Sequence, residues 1–120
     1  LSYIGYGHLL KKGEKFTKLT KKECIALFDK DVSYINKILN TLFKEEIPQN
    51  HFDVFASIIY DIGYNMFKTS SLLTLYKKGL LAEASLRIIV WSKYKGIHSD
   101  ALEYRRKIDY KIFTNNDYTL

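Results

Sequence analysis

Apolar residues recur at spacings of three and four from Cys24 through Leu27, Phe28, Ile35, Ile38, Leu39 and Leu42, with Asp31 in the same register. One face of a 3.6-residue turn is then apolar and the other polar, which predicts an amphipathic helix. Thr20-Lys21-Lys22-Glu23 marks its start. The Thr20 hydroxyl can accept from the Glu23 N–H while the Glu23 carboxylate reaches back to the Thr20 N–H. The predicted helix, about six turns over 20–44, is long enough to bridge two lobes.

Further along, Pro48 suits the first turn of a second helix, with Phe52, Phe55, Ile58, Ile59 and Ile62 as its buried stripe and Gly63 just past its end. Ser70 or Ser71 caps a third helix that turns Leu72, Leu73, Leu75 and Tyr76 inward and stops at Gly79. A fourth is predicted from Leu81 to Tyr94, with Ala84, Ile88 and Trp91 on one face and Gly96 as its breaker. Asp100 can cap the last helix, over 101–113, and the polar stretch 114–120 reads as a loose tail. Residues 1–19 follow a different pattern. Gly5 and Gly7 flank Tyr6, and short apolar pieces alternate with turn signals, which predicts a β-hairpin. The predicted class is α+β, mostly α. A hairpin over 1–19 belongs to a small lobe, a connecting helix covers 20–44, a helical lobe covers 45–113, and 114–120 is the tail.

Composition adds a few bounds. With 120 residues, 47% of them hydrophobic and 15% aromatic, the chain has single-domain length and ample material for a core. Its formal charge of +6 attracts polyanions such as nucleic acid, anionic headgroups or wall polymers. No helix-turn-helix, RNA-recognition or zinc-finger pattern accompanies that charge, so nucleic-acid binding ranks last among the functions it allows. Cys24 is the one cysteine, which rules out an intrachain disulfide and, from its helical register, reads as an inert buried thiol. His8, His51 and His98 are scattered without metal-ligand spacing, and neither a transmembrane span nor a signal peptide is legible.

The specific signal lies in motifs and their order. Tyr3-Ile4-Gly5-Tyr6-Gly7-His8 resembles the T-I-G-Y-G-H signature of the tailed-phage lysozymes, glycoside hydrolase family 24. Leu19-Thr20-Lys21-Lys22-Glu23, Leu27-Phe28 and Asp31-Val32 are similar to that family's capped helix. Gln49-Asn50-His51-Phe52-Asp53 with Gly63 ten residues on resembles its Q-N-Q-F-D helix. Phe67 with Ser70-Ser71-Leu72-Leu73 follows, then Trp91, then Arg105-Arg106 with Asp109 and Phe113, all in the family's order. The resemblance covers about Tyr3 to Phe113.

This resemblance implies a two-lobed fold that hydrolyses the bond between N-acetylmuramic acid and N-acetylglucosamine in peptidoglycan. Such hydrolysis needs a protonated carboxyl for the leaving oxygen and a second group that attacks or holds water. It needs no metal or cofactor. The family's acid Glu and partner Asp precede the signature, and are therefore expected ahead of Leu1. Tyr3 stands at the signature Thr, and Asp61 stands where the family has Asn or Gln. Two readings follow: the remainder of an active muramidase, or a relative that binds glycan without cutting it. The implied partner is peptidoglycan, met by a monomer that accumulates in the cytoplasm and acts on the wall after release, with no nucleic acid and no stable membrane insertion.

Individual residues carry competing readings. The resemblance places Asp61 in the cleft, and Arg105 is the arginine expected to face it, where a guanidinium can hold a carboxylate bidentately. The plainer alternative is a solvated Arg105-Arg106-Lys107 run. Tyr6 either lines the groove or packs within the hairpin. His8 and Asp31 are expected to pair, pinning hairpin to helix. Glu45 and Glu46 read as a solvated helix end, and Trp91 reads as core.

Overall fold

The computed structural model describes residues 3–4, 8–9, 21–94 and 96–119. Two short strands, β1 (Tyr3–Ile4) and β2 (His8–Leu9), pair antiparallel with Tyr3 opposite Leu9 and Ile4 opposite His8. The long helix α1 (Lys21–Leu42) follows, then α2 (Gln49–Ile62), α3 (Tyr64–Lys68), α4 (Ser71–Lys77) and α5 (Leu81–Leu86). A 3-10 turn (Ile89–Ser92) leads into a second small hairpin, β3 (Lys93–Tyr94) and β4 (Ile97–His98). Helix α6 (Asp100–Asn115) closes the chain. The result is a mostly α architecture with a minor β component.

Helix α2 is the axis of the helical lobe. Val54, Phe55, Ile58 and Ile59 are buried along it, because α1, α3 and α6 all lie against it. Phe55 is the hub of an aromatic cluster: its ring meets Tyr76 at 4.8 Å, Phe67 at 5.3 Å, Phe43 at 5.7 Å and Phe113 at 6.0 Å. Among the described residues, helix α1 joins this core mainly through its second half. Ile35 and Leu39 are buried, whereas Ile25, Phe28 and Val32 on the same helix are exposed. Strand β2 lies against both α1 and α2, which sets the first hairpin beside the junction of the two helices.

Element ends follow local chemistry. Pro48 occupies the cap position of α2, one residue outside the helix, and Gln49 donates to Asp53 within the first turn at 2.7 Å. The Ser70 hydroxyl accepts from Leu73 N–H at 3.2 Å, as expected for the cap of α4. That helix ends where Leu80 N–H reaches the Leu75 carbonyl and Gly79 N–H reaches Tyr76, with Gly79 at φ 77°. A residue with positive φ is what this terminating motif requires. Asn50 donates to the Ile112 and Phe113 carbonyls at 3.1 and 3.2 Å, tying the start of α2 to the end of α6, where the Ile112 carbonyl also accepts from Asn116 N–H at 2.9 Å.

Four expectations need correction. Gly63 does not simply end α2: at φ 98° and ψ 154° it redirects the chain into the one-turn helix α3, which buries Phe67. The predicted fourth helix stops at Leu86, not Tyr94. The β-branched run Ile88-Ile89-Val90 tightens into a 3-10 turn, Trp91 leaves helical geometry at ψ 32°, and a hairpin follows. The cap of α6 is Ser99, whose hydroxyl accepts from Leu102 N–H at 3.3 Å, while Asp100 is already the first helical residue. The tail is anchored: Tyr118 donates to Asp53 at 2.6 Å, and Lys111 donates to the Thr119 carbonyl at 3.1 Å.

Candidate functional site

At the C-terminal end of α2, four charged side chains converge from two helices. Asp61 is buried, and its two oxygens face different arginines of α6. Oδ2 accepts from Arg106 Nη2 at 2.6 Å, and Oδ1 meets Arg105 Nη1 at 2.9 Å. Arg106 is fully buried, while Arg105 keeps 49% of its side chain exposed. Arg106 Nη2 also donates to Ser57 Oγ at 3.2 Å, and Ser57 in turn donates to Asp109 Oδ2 at 3.2 Å. Arg106 Nε lies 2.9 Å from that same Asp109 oxygen, too poorly aligned to count as a hydrogen bond. Arg106 Nη1 has no hydrogen-bond partner among the described residues.

Helical spacing explains the assembly. Arg106, Asp109 and Phe113 occupy successive positions of the inward face of α6, so an arginine and an aspartate are carried into the interior beside a phenylalanine. Ser57 and Asp61, one turn apart on α2, supply the opposite wall. Two guanidinium charges and two carboxylates balance to zero, which is what allows the group to be buried. Asp109 shows the strain of that arrangement. Burial, more than any other cause, pushes its carboxyl up to about 6, Arg106 and the Ser57 hydroxyl pull the other way, and the nearby Asp61 charge adds to the rise.

That shift has a direction in stability. A carboxyl raised in the fold holds its proton more tightly there than in the unfolded chain. Its contribution is therefore complete below its ordinary value of 3.8 and is lost as pH rises through about 6. Asp109→Asn should erase this component. The difference between wild-type and variant unfolding free energies, measured by urea titration, is expected to change between pH 4 and 7 and to be flat above. A difference that stays constant across that range would mean Asp109 titrates normally.

Tyr60, next to Asp61, connects the cluster to α1. Its hydroxyl is held above the usual phenol range, first by burial and then by the Asp31 charge, with Arg105 opposing and Asp61 reinforcing. The Tyr60 ring packs edge-on against Phe28 of α1 at 5.7 Å. Tyr60 thus feels the charges of Asp31 on α1, Asp61 on α2 and Arg105 on α6.

Of the residues singled out from sequence, Asp61 and Arg105 are in direct contact. The strand backbones of Tyr3 and His8 are placed, but their side chains lie outside the described residues, as does Tyr6, and so does the expected His8–Asp31 pair. The solvated-run alternative fails for Arg106, which is completely enclosed, and holds for Lys107, which pairs with Glu103 at 2.9 Å on the surface. Glu45 and Glu46 are exposed, in line with a solvated helix end. Ser57 and Asp109 were not picked out as site residues. The available signal was the eight-residue frame Arg106-x-x-Asp109-x-x-x-Phe113, which places two charges in register with a buried ring.

Among the described residues one group has metal-ligand proximity: His98, Asp100 and Glu103, whose ligand atoms lie within 4.8 Å of one another. It is on the surface, with Glu103 already held by Lys107, and it is remote in kind from the buried cluster. His51 belongs to the core: it stacks on Phe113 at 4.3 Å and hydrogen-bonds Tyr76 at 2.8 Å, and burial lowers its proton affinity.

Comparison with known proteins agrees with this architecture. The phage lysozyme family model matches residues 2–109, so the chain belongs to the phage lysozyme family. An endolysin of Acyrthosiphon pisum secondary endosymbiont phage 1 is 33% identical over 94 residues, covering 77% of this chain and 62% of the relative. The chain therefore spans less than two thirds of that relative's length. Among solved structures, the endolysin from Escherichia coli O157:H7 phage FAHEc1 superposes with a TM-score of 0.79 at 24% identity, covering 98% of this chain and 79% of that one. The muramidase domain of SpmX from Asticaccaulis excentricus gives 0.75 at 26% identity, covering 94% and 79%.

Proposed function

We propose that this protein is a peptidoglycan muramidase of the phage endolysin type, acting at the cell wall on the bond between N-acetylmuramic acid and N-acetylglucosamine. The observation that carries this reading is the Asp61–Arg105 pair, buried on one side and open on the other, in a chain of the phage lysozyme family. Asp61 is neutralised by two arginines, which makes it a holder rather than a base. Arg105 spends Nη1 on Asp61 and remains half-exposed, so its other N–H donors are available to a carboxylate of the wall polymer. Tyr6 is assigned to the groove wall and Tyr3 to the position where the family carries Thr. The hairpin forms part of the small lobe, with α1 as the connection.

Asp109 has the proton affinity expected of a general acid but not the access, since it is sealed behind Arg106 and Ser57. The leaving-group proton is therefore assigned to the Glu that precedes the signature in the family pattern. The reaction runs on carboxyls and water without a cofactor. The acting species is a monomer released from the cytoplasm. Among the described residues no helix is long and apolar enough to cross a membrane.

Arg105→Ala tests the assignment. Loss of a charge-assisted contact should weaken binding to purified wall sacculi about tenfold to a hundredfold. The unfolding midpoint should move little, because the side chain is half in solvent. Clearing of a Gram-negative wall suspension by the wild type, reduced in the variant, supports hydrolysis. Binding without clearing would identify a non-cutting relative instead. Neither binding nor clearing would remove the assignment.

A further inference from the structure

We propose that the face formed by α5, the 3-10 turn and the second hairpin docks on a membrane leaflet rich in anionic lipid. The argument starts from the backbone. The N–H groups of Arg87, Ile88 and Trp91 donate to carbonyls three residues back, at 2.9, 3.2 and 3.2 Å. Three residues per turn align side chains in rows along the axis. One row, Ser85, Ile88 and Trp91, is turned inward: the first two are buried and the third packs against the core. Of the other two rows, the residues before Ser92 face out, while Ser92 itself is buried. The rows contain Leu86 with Ile89, and Arg87 with Val90 and Lys93.

The exposures agree. Leu86 is 65% exposed, Val90 59% and, in the hairpin that follows, Ile97 74%. Leu80 and Leu81 at the start of the segment are exposed as well. These aliphatic side chains are not needed to close the interior, which Ala84 and Ile88 already seal from this segment. The charges in and beside this segment are mostly positive: residues 76–97 contain Lys77, Lys78, Arg87, Lys93 and Lys95 against Glu83, with Asp100 and Glu103 meeting His98 at the end of the hairpin. Branched aliphatics interleaved with basic side chains suit an interface in which the apolar groups enter the acyl boundary while the cations meet headgroup phosphates.

Charge decides between occupants. A second copy of this face would bring like charges together. A soluble polyanion would use the lysines and the arginine and leave Leu86, Val90 and Ile97 in water. An anionic leaflet uses both kinds of residue. The contact is peripheral, since among the described residues no helix can span.

The test is sedimentation of the purified full chain with vesicles of phosphatidylglycerol and phosphatidylcholine, against phosphatidylcholine alone, at about 0.1 M salt. The wild type is expected to sediment with the anionic vesicles and to be released as salt rises. The pair Leu86→Asp and Val90→Asp should weaken vesicle binding at least tenfold, and the pair Arg87→Gln and Lys93→Gln about fivefold per charge removed. All four side chains are exposed, so circular dichroism and urea midpoints should match the wild type. Equal binding to zwitterionic vesicles, or variants that bind as the wild type does, would overturn the proposal. So would a concentration-dependent dimer split by the Asp pair, which would assign the face to a second copy. Equal loss of binding to lipid-free sacculi would assign it to the wall polymer. Sacculus binding unchanged by these variants, with vesicle binding lost, supports the lipid assignment and leaves the muramidase reading to its own test.

Discussion

Arg106→Met is expected to lower the unfolding free energy at pH 7 by about 3–5 kcal/mol, the range seen when one member of a buried ion pair is removed. The reason is the geometry at the end of α2. Arg106 is completely enclosed and stands between Asp61 at 2.6 Å and Asp109 at 2.9 Å. Methionine fills much of the same volume but supplies no donor, so two carboxylates are left facing each other, with Arg105 reaching only one of them. A buried carboxylate without its partner takes up a proton instead of staying charged. The loss should therefore be clearly smaller at pH 4.5 than at pH 7. Replacing Asp61 and Asp109 together with Asn in the Met background should recover part of it, because neutral amides do not repel. Urea titrations of the three proteins at both pH values provide the measurement. A loss below about 1 kcal/mol at pH 7, or one independent of pH, would show that the guanidinium is not what holds these carboxylates.

Phe55→Ala is the second large effect, at about 3–5 kcal/mol. Phe55 is completely buried, and its ring touches four other aromatic rings drawn from the turn after α1, from α3, from α4 and from α6. Truncation removes the transfer energy of the ring and opens a cavity that rigid neighbours cannot fill, since each is held by further contacts of its own. Phe28→Ala offers the internal comparison. Phe28 meets Tyr60 edge-on but is exposed, and its loss should stay near or below about 1.5 kcal/mol. Unfolding free energies from urea titration check both. Similar losses for the two variants would mean that the aromatic cluster is not the centre of stability.

Helices with strong apolar periodicity were legible where burial and period coincide, which in α1 holds for Ile35 and Leu39 but not for Phe28. Helix α2 is the clear case: Phe55, Ile58 and Ile59 were expected inside and are buried. Where the chain uses fewer than two turns per element, period gives no purchase. Helix α3 occupies five residues after Gly63, and the second hairpin uses two residues per strand. The motifs around Lys95-Gly96 resemble a helix breaker as much as a hairpin turn, and only strand pairing distinguishes the two. At the site, Asp61 and Arg105 were found through motif order, and the structure joins them. Arg106 and Asp109 were harder to read, because charged residues in a row normally signal solvent. Their burial depends on Ser57 and Asp61, which come from a helix about fifty residues away in sequence and cannot be seen by inspecting α6 alone.

The anchored tail has a practical consequence for anyone attaching this protein to something else. Tyr118 reaches Asp53 in the first turns of α2, whereas the charged cluster gathers at Asp61, eight residues and about 12 Å further along the same helix. A fluorophore, affinity handle or bead attached through a cysteine at Thr119 would therefore sit towards the opposite end of that helix from Arg105. Immobilisation there should leave the face that carries Asp61 and Arg105 open to solvent.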